Sequence, residues 1–396
     1  MTEPQAAHAH SLDEFLSQAR VLIVDDNERN RMLIGALLTA AGVNNQETAV
    51  DGIDALDKVE SFSPDLIVLD IMMPRMDGME FMQILRSSTE QGTVPILVQT
   101  ALNSPEERNK IYASGATDML SKPINTAELI TRVRTHLELR HLAQVYQDQM
   151  RLEAELGAAR RMQEALLPPQ TLLDEIRTER RVAIDAHFET SSELGGDIWG
   201  THILGDGMTG VYSVDFSGHG VGASLNTFRL HALMSHMRPL NADVSGYLAD
   251  LNNDLNELLP LGQYATMFYA VIDTNSDTLT YSAAAAPSVI MGKLDGSGVA
   301  YHTTRGVPLG MKQGSQYDTY QLPFRAGDFL FLYSDALIET ADEFGDVINE
   351  TQLLRMVEDA VKDREGIPVI DALRAAFEAR SVGPLGDDLT LVMVSR

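Results

Sequence analysis

Alternating apolar strands and helical segments constrain the first part of this sequence most strongly. Apolar runs such as VLIV, LIVLD and PILVQTA alternate with helical segments such as RNRMLIGALLTAAG from residue 20 to about residue 125. Strands and helices of this size in regular alternation predict a doubly wound parallel sheet. In such an α/β fold, the ligand site lies at the carboxyl ends of the strands.

Polar residues stand at the ends of these predicted strands. They are Asp25, Asp26, Asp70, Thr100 and Lys122. Three acids at one sheet edge would repel one another unless a divalent cation joined them, and Lys122 would supply a further positive charge. A carboxylate surrounded by a cation, a lysine and a hydroxyl group is suited to accepting a phosphoryl group.

These residues and their separations resemble the receiver domain of bacterial response regulators, a flavodoxin-like fold. The resemblance implies a phosphoacceptor at Asp70, Mg²⁺ held by Asp25, Asp26, Asp70 and the backbone carbonyl of Met72, and phosphoryl oxygens bound by Thr100 and Lys122. It also implies a cis peptide at Lys122–Pro123 and a cognate histidine kinase or phosphotransfer protein as the phosphoryl donor. Receivers usually carry an aromatic residue where this chain has Met119. A flavodoxin-like domain that is not phosphorylated is the alternative.

A helical stretch without internal proline follows, from about residue 126 to 166. Steps of three and four separate Leu142, Val145, Gln149, Leu152, Leu156, Ala159, Gln163 and Leu166. This is the seam pattern of a coiled coil. A globular helix rarely reaches about 40 residues, so either two helices meet here or the stretch pairs with another copy. We expect a homodimer through this linker, and a solvated connector is the alternative.

From about residue 178 the predicted strands are short and separated by turn signals such as GDG and KLDGSG. Helical patterns at 223–237, 244–259 and about 350–380 interrupt them. Runs of strands with grouped helices predict a layered α/β sandwich.

Four separated segments of this second part place an aspartate beside an apolar strand. They are LGGD, VYSVD, FLFLYSD and GDDLTLVMV, with Asp197, Asp215, Asp335 and the pair Asp387 and Asp388. Any one of them alone would be an ordinary turn. A buried acid at a strand end is costly unless a cation or several donors meet it. Oxygen ligands without cysteine suggest a site for hard divalent cations.

Taken together, the segments LGGDIW, VDFSGHG, YATMFYAVID and GDDLTLVMV resemble the bacterial PPM (type 2C-like) serine/threonine phosphatases that control stress and sporulation sigma factors. The resemblance runs from about residue 152 to the C-terminus. It implies two Mn²⁺ or Mg²⁺ ions, bridged by Asp215, with further ligands from Asp197, Asp335, Asp387 and the backbone carbonyl of Phe216. Asp388 is interpreted as a neighbour of the site and His219 as a turn residue.

Several positions depart from the sequence motifs of that family. Gly200 replaces a usual aspartate, Ala285 and Ala286 replace a common Gly-His pair, and Ala336 replaces a usual glycine. These changes spare the four metal carboxylates. We therefore expect these changes to affect the turnover rate or the fit of the substrate more than they affect metal binding.

Composition excludes several other classes of protein. The chain has 396 residues, 30 basic against 57 acidic, and a net charge of -27, which disfavours binding to nucleic acid. It has no cysteine, so disulfides and zinc-thiolate sites are excluded. No apolar run approaches the ~18 residues that span a bilayer, and the N-terminus lacks signal-peptide character. We expect a cytoplasmic protein without a membrane partner.

These observations predict four regions. We expect a disordered tail over residues 1–18, a receiver over 19–138, a helical coiled-coil linker over 139–175 and a phosphatase domain over 176–396. The expected function is receiver-controlled, metal-dependent dephosphorylation of phosphoserine or phosphothreonine, with an anti-sigma-factor antagonist as substrate. The alternative is a catalytically weak or inactive phosphatase-fold adaptor that binds a sigma factor or an anti-sigma antagonist under receiver control. A DNA-binding regulator is disfavoured by the charge and by the lack of a basic recognition helix.

Overall fold

The computed structural model describes residues 15–87, 92–101, 104–192, 194–218, 220–237, 243–362, 367–381 and 383–396. The chain divides into two compact units, Met1–Leu152 and Glu153–Arg396. The division falls inside one long helix, so the predicted borders of the linker, 139 and 175, remain predictions.

A five-stranded parallel sheet forms the first unit, in the order β2-β1-β3-β4-β5. Its strands are β1 (Arg20–Val24), β2 (Asn45–Ala49), β3 (Leu66–Asp70), β4 (Ile96–Thr100) and β5 (Asp118–Ser121). The helices between them are α1 (Glu28–Ala40), α2 (Gly52–Phe62), α3 (Gly78–Ser87) and α4 (Pro105–Ala113). The predicted doubly wound, flavodoxin-like sheet is confirmed.

Both faces of this sheet are buried, which explains the continuous apolar runs of its strands. Successive side chains of a strand point to opposite faces. Leu22 and Val24 accordingly pack in one core and Val21 and Ile23 in the other. The strand ends are thereby held rigidly at one edge of the sheet.

The prediction that residues 1–18 form a disordered tail is wrong for residues 15–18, the part of this tail that the structure describes. Residues 15–18 are helical, and Leu16 is only 3% exposed. Its side chain joins the same core as Val21 and Leu137. Burial of a leucine stabilises this turn by roughly 1.5–3 kcal/mol relative to exposure. Residues 1–14 lie outside the described part of the chain.

One continuous helix, α5 (Thr126–Glu164), occupies most of the predicted linker. On its predicted seam, Leu142, Val145 and Leu152 are about half exposed. Gln163, by contrast, is 2% exposed and makes its hydrogen bonds within the second unit. The prediction that Gln163 belongs to the seam is therefore wrong, because its amide already has partners in its own chain.

Two antiparallel sheets form the second unit, in the orders β13-β10-β9-β8-β7 and β12-β11-β14-β15-β6. Their strands are β6 (Ala183–Glu189), β7 (Asp197–Gly205), β8 (Met208–Phe216), β9 (Ala265–Asp273), β10 (Thr278–Ala284), β11 (Val289–Lys293), β12 (Ala300–His302), β13 (Tyr320–Pro323), β14 (Asp328–Tyr333) and β15 (Leu389–Ser395). The helices are α6 (Gln170–Glu175), α7 (Val221–His236), α8 (Val244–Leu258), α9 (Ala336–Glu339), α10 (Glu350–Lys362) and α11 (Val369–Glu378).

The two sheets are stacked between two layers of helices. In β14, Leu330 and Leu332 pack in the core between the sheets, whereas Phe329 and Phe331 pack against α10 and α11. A separate core joins the other sheet to α7 and α8. The predicted layered α/β sandwich is confirmed. Within the part of the chain that is described, no helix combines the length and the apolar character needed to cross a membrane.

Candidate functional site

The acids predicted at the edge of the first unit's sheet lie together. The carboxylate oxygens of Asp25, Asp26 and Asp70 all lie within 4.8 Å of one another. They meet because β1 and β3 are neighbouring parallel strands that end at the same edge. The ammonium group of Lys122 lies 2.7 Å from Asp70 Oδ2 and 3.8 Å from Asp25 Oδ2.

Burial raises the pKa of the Asp25 carboxyl group above its ordinary value. Hydrogen bonds from Asn27 and Asn30 oppose this increase, and the charge of Asp70 adds to it. Lys122 only partly compensates the negative charge of three acids. The pocket therefore has the charge and the oxygen ligands that suit one Mg²⁺ ion.

The remaining predicted residues of this pocket are arranged around the same edge. Thr100 ends β4 and is buried, and its carbonyl accepts a hydrogen bond from the backbone N–H of Lys122. Met72 follows β3 with its side chain 76% exposed. The Lys122–Pro123 peptide is cis, as the resemblance implied. Met119, which replaces the usual aromatic residue, is buried in the sheet core.

In the second unit, antiparallel pairing brings two predicted metal ligands together. Asp197 opens β7 and Asp215 lies near the end of β8, and the two are direct cross-strand partners. Asp335 follows β14 in the other sheet. All three line a cavity of about 230 Å³ whose remaining walls are mainly apolar. Asp387, just before β15, is exposed to solvent and does not line this cavity, although the resemblance implies it as a ligand.

The electrostatics of this cavity are unfavourable without added positive charge. Burial, followed by repulsion from Asp335 and Asp387, raises the pKa of Asp215 to about 7. Burial and the charge of Asp215 raise the pKa of Asp197 well above its usual range. The pKa of Asp335 is raised by burial and by Asp387. No Lys or Arg lines the cavity among the described residues. His219 lies outside those residues.

Such a set of hard oxygen ligands fits divalent cations. Among the described residues, only the acids of the first unit form a group of three whose ligand atoms all lie within 4.8 Å of one another, so at least one pair among Asp197, Asp215 and Asp335 lies further apart. Ions of a two-metal site lie about 3.5–4 Å apart, and their ligands surround a pair rather than a point. The wider spacing is therefore compatible with two cations and less suited to one.

Two buried residues beside this site hold it in place: Thr390, which the sequence analysis does not single out, and Asp388, which it predicts to be a neighbour of the site. Thr390 donates a 2.6 Å hydrogen bond to Asp197 Oδ2. Asp388 accepts hydrogen bonds from the backbone N–H groups of Ser191 and Gly196, at 2.8 and 2.6 Å, and from that of Asp197 at 3.4 Å. The carboxylate of Asp388 is therefore engaged by main chain beside the site, as expected for a neighbour rather than a ligand.

The local structure explains the positions that depart from the sequence motifs of the PPM family. A Cβ atom at Gly200 would lie 2.3 Å from the phenol oxygen of Tyr212, so this phenol fills the space of a side chain there. Ala286 lines the cavity, and Ala285 adopts a φ of 55°, a conformation that favours glycine. Ala336 is buried at the start of α9.

Comparisons with known proteins match the two units separately. Residues 21–134 match the family model of the response regulator receiver domain. Residues 205–396 match the model of the stage II sporulation protein E (SpoIIE). The chain therefore joins a response regulator receiver domain to a second domain that matches the SpoIIE family model. Asp197 precedes the matched segment, so its assignment relies on geometry.

The response regulator MprA of Mycobacterium avium is 43% identical over 118 residues, which cover 30% of this chain and 50% of that protein. The chain thus spans about half the length of the curated relatives that it matches. The PP2C domain of SiaA from Pseudomonas aeruginosa is 20% identical, with a TM-score of 0.56, over 63% of this chain and 98% of that domain. This likeness establishes the fold of the second unit.

We predict that Asp215→Asn makes the metal-free protein more stable at pH 8, by roughly 1–3 kcal/mol. A carboxyl group whose pKa is raised on folding disfavours the folded state above that pKa, and the amide removes the charge. Excess Mn²⁺ should raise the Tm of the wild type by more than that of the variant, in which only the receiver pocket can still bind the ion. The exposed Asp206→Asn is the matched control. Equal stabilisation of wild type and Asp215→Asn by Mn²⁺ would contradict the assignment.

We also predict that Gly200→Ala destabilises the protein by roughly 1–3 kcal/mol, because its Cβ atom overlaps the ring of Tyr212. Gly222→Ala in α7 meets no atom within 4 Å and should be neutral or slightly stabilising. Denaturant unfolding of the two variants measures the difference. Similar stabilities would show that the space beside Gly200 is not filled as described.

Proposed function

We propose that the chain is a response regulator whose receiver controls a metal-dependent phosphoserine/phosphothreonine protein phosphatase. The observation that carries this proposal is the convergence of Asp197, Asp215 and Asp335 on one cavity without a compensating basic side chain among the described residues. Without bound cations, such a group of acids destabilises the folded state. Such a group is expected where bound cations restore the charge balance.

The residues of the cavity would divide the work as follows. Asp215, at the centre of the acids, would contact both cations, and Asp335 with Asp387 would hold one of them. Asp197, oriented by Thr390, would contribute from the opposite strand. When bound, two divalent cations supply an activated water and neutralise the phosphoryl oxygens. The protein positions these groups and limits access of bulk water through the apolar walls of the cavity.

The preferred substrate class is a phosphorylated anti-sigma-factor antagonist. This part of the proposal depends on the resemblance of the second unit to SpoIIE, whose family name refers to sporulation. The net charge of -27 favours a protein substrate over nucleic acid.

A second candidate is an adaptor that keeps the phosphatase fold but has lost turnover. Ala285 and Ala286 favour it, because they place methyl groups on the cavity wall where the related phosphatases carry Gly-His. The retained acids favour the enzyme. Calorimetric titration with Mn²⁺ separates the two candidates, since an adaptor without a metal site would give no binding heat from the second unit.

The receiver would accept a phosphoryl group at Asp70 from a histidine kinase or phosphotransfer protein. We propose that phosphorylation changes the pairing of α5 between two copies of the chain. The half-exposed Leu142, Val145 and Leu152 provide an apolar surface for such a homodimer. A switch of this kind needs two states separated by a few kcal/mol.

The enzyme proposal predicts Mn²⁺-dependent release of phosphate from a phosphoserine or phosphothreonine peptide. Asp215→Asn should lower the rate by more than about 10²-fold, because loss of a metal ligand costs more than the 10–100-fold typical of outer-shell partners. Asp206→Asn, a matched change of an exposed acid, should retain full activity. An inactive wild type, tested with the receiver both phosphorylated and unphosphorylated, would reject the enzyme in favour of the adaptor.

Receiver control predicts that beryllofluoride, which mimics a phosphoryl group on an aspartate, changes the phosphatase rate at least about fivefold. The same treatment should alter the sedimentation coefficient, because α5 would pair differently. Asp70→Asn removes the phosphoacceptor and should abolish both effects. Unchanged rate and sedimentation of the wild type after treatment would contradict the coupling.

A further inference from the structure

Gln163 is a buried polar residue at the C-terminal end of α5. Its side chain is 2% exposed and lies against the loop that leads into β7. It belongs to the same compact unit as the cavity acids. A buried amide in this place needs partners for both its oxygen and its nitrogen, and the identity of those partners reveals its role.

The carboxamide of Gln163 forms a two-point contact with the backbone of Gly195. Its Nε2 donates to the Gly195 carbonyl at 2.7 Å, and its Oε1 accepts from the Gly195 N–H at 3.1 Å. Nε2 also lies 3.3 Å from the hydroxyl of Thr227 in α7. Gly195 cannot carry a side chain here, because its Cβ atom would lie 2.3 Å from Asp388 Oδ2.

The loop is held from its other side by the C-terminal strand. Asp388 accepts from the N–H groups of Gly196 and Asp197. Thr390, two residues further on, fixes the carboxylate of Asp197. Gly195 to Asp197 is therefore fixed by a glutamine from α5 on one side and by residues next to β15 on the other.

We propose that Gln163 is the positioning residue through which α5 sets the place of Asp197, and so sets the affinity of the cavity for divalent cations. The inference rests on the proposed metal-dependent phosphatase. If α5 moved away, the N–H and carbonyl groups of Gly195 would be left buried without partners, which is strongly unfavourable. The loop would rearrange to satisfy them, and Asp197 would lose its position.

The test uses Gln163→Met in the full chain, because methionine has a similar length and volume but cannot form the paired hydrogen bonds. We expect Mn²⁺ binding measured by calorimetry to weaken about tenfold, the effect of losing roughly one to two buried hydrogen bonds. The Mn²⁺ concentration for half-maximal activity should increase by the same factor, and the rate at saturating Mn²⁺ should recover. Gln147→Met, at an exposed position of the same helix outside the predicted seam, is the matched control and should bind Mn²⁺ as the wild type does.

Hydrogen exchange of the metal-free protein gives a second readout that does not depend on activity. The amides of residues 195–197 should exchange faster in Gln163→Met, while those of the β8–β9 ladder stay protected. This pattern separates local repositioning from general loss of stability. Thr227→Val removes only the third contact and should have a clearly smaller effect. It also serves as the test if Gln163→Met does not fold, in which case faster exchange confined to residues 195–197 remains the expected result.

Unchanged Mn²⁺ affinity together with unchanged exchange at residues 195–197 in Gln163→Met would overturn the inference. An effect of Thr227→Val equal to that of Gln163→Met would also overturn it, because the contact with Gly195 would then be irrelevant. If even the wild type bound no Mn²⁺ in the second unit, the proposed function would fail. The exchange rates of residues 195–197 would still decide whether Gln163 positions the loop.

Discussion

Burial of carboxylates that the fold forces together, with the repulsion between them added to it, is the constraint on which both candidate sites depend. Asp25 and Asp70 are fixed by neighbouring parallel strands, and Asp197 and Asp215 by antiparallel pairing. Neither pair can move apart without breaking a sheet. The cost of burying these charges close together is therefore retained in the folded protein, and the binding of cations would offset it.

The two sites differ in how much positive charge from the protein offsets their acids. In the receiver, Lys122 lies within 4 Å of two acids and offsets part of the charge in the absence of a cation. The cavity of the second unit has no such lysine among its described lining residues, and the pKa of Asp215 is raised to about 7. Under the proposed function, the second site would therefore depend more strongly on bound cations than the receiver pocket does. The hydrogen bonds of Thr390 and Gln163 would then hold Asp197 where a cation needs it.

Much of this architecture could be predicted from sequence. The apolar runs that end in Asp70 and Asp215 identify buried strands with an acid at the end, and alternation with helices predicts the parallel sheet of the first unit. The roles of Thr390 and of the Asp388 carboxylate as hydrogen-bond partners could not be predicted, because Asp197 and Gly196 lie about 190 residues away in the chain. For Gln163 the sequence predicts the wrong partner, because its helical spacing fits a coiled-coil seam. Spacing alone does not distinguish a partner helix from the chain's own loop.

Anomalous diffraction from crystals soaked in Mn²⁺ would locate bound ions without relying on activity. We expect two peaks about 4 Å apart in the cavity of the second unit, with the Asp215 carboxylate between them and Asp197 and Asp335 at its sides. An absence of peaks in this cavity at saturating Mn²⁺, or acids turned away from the ions, would contradict this expectation.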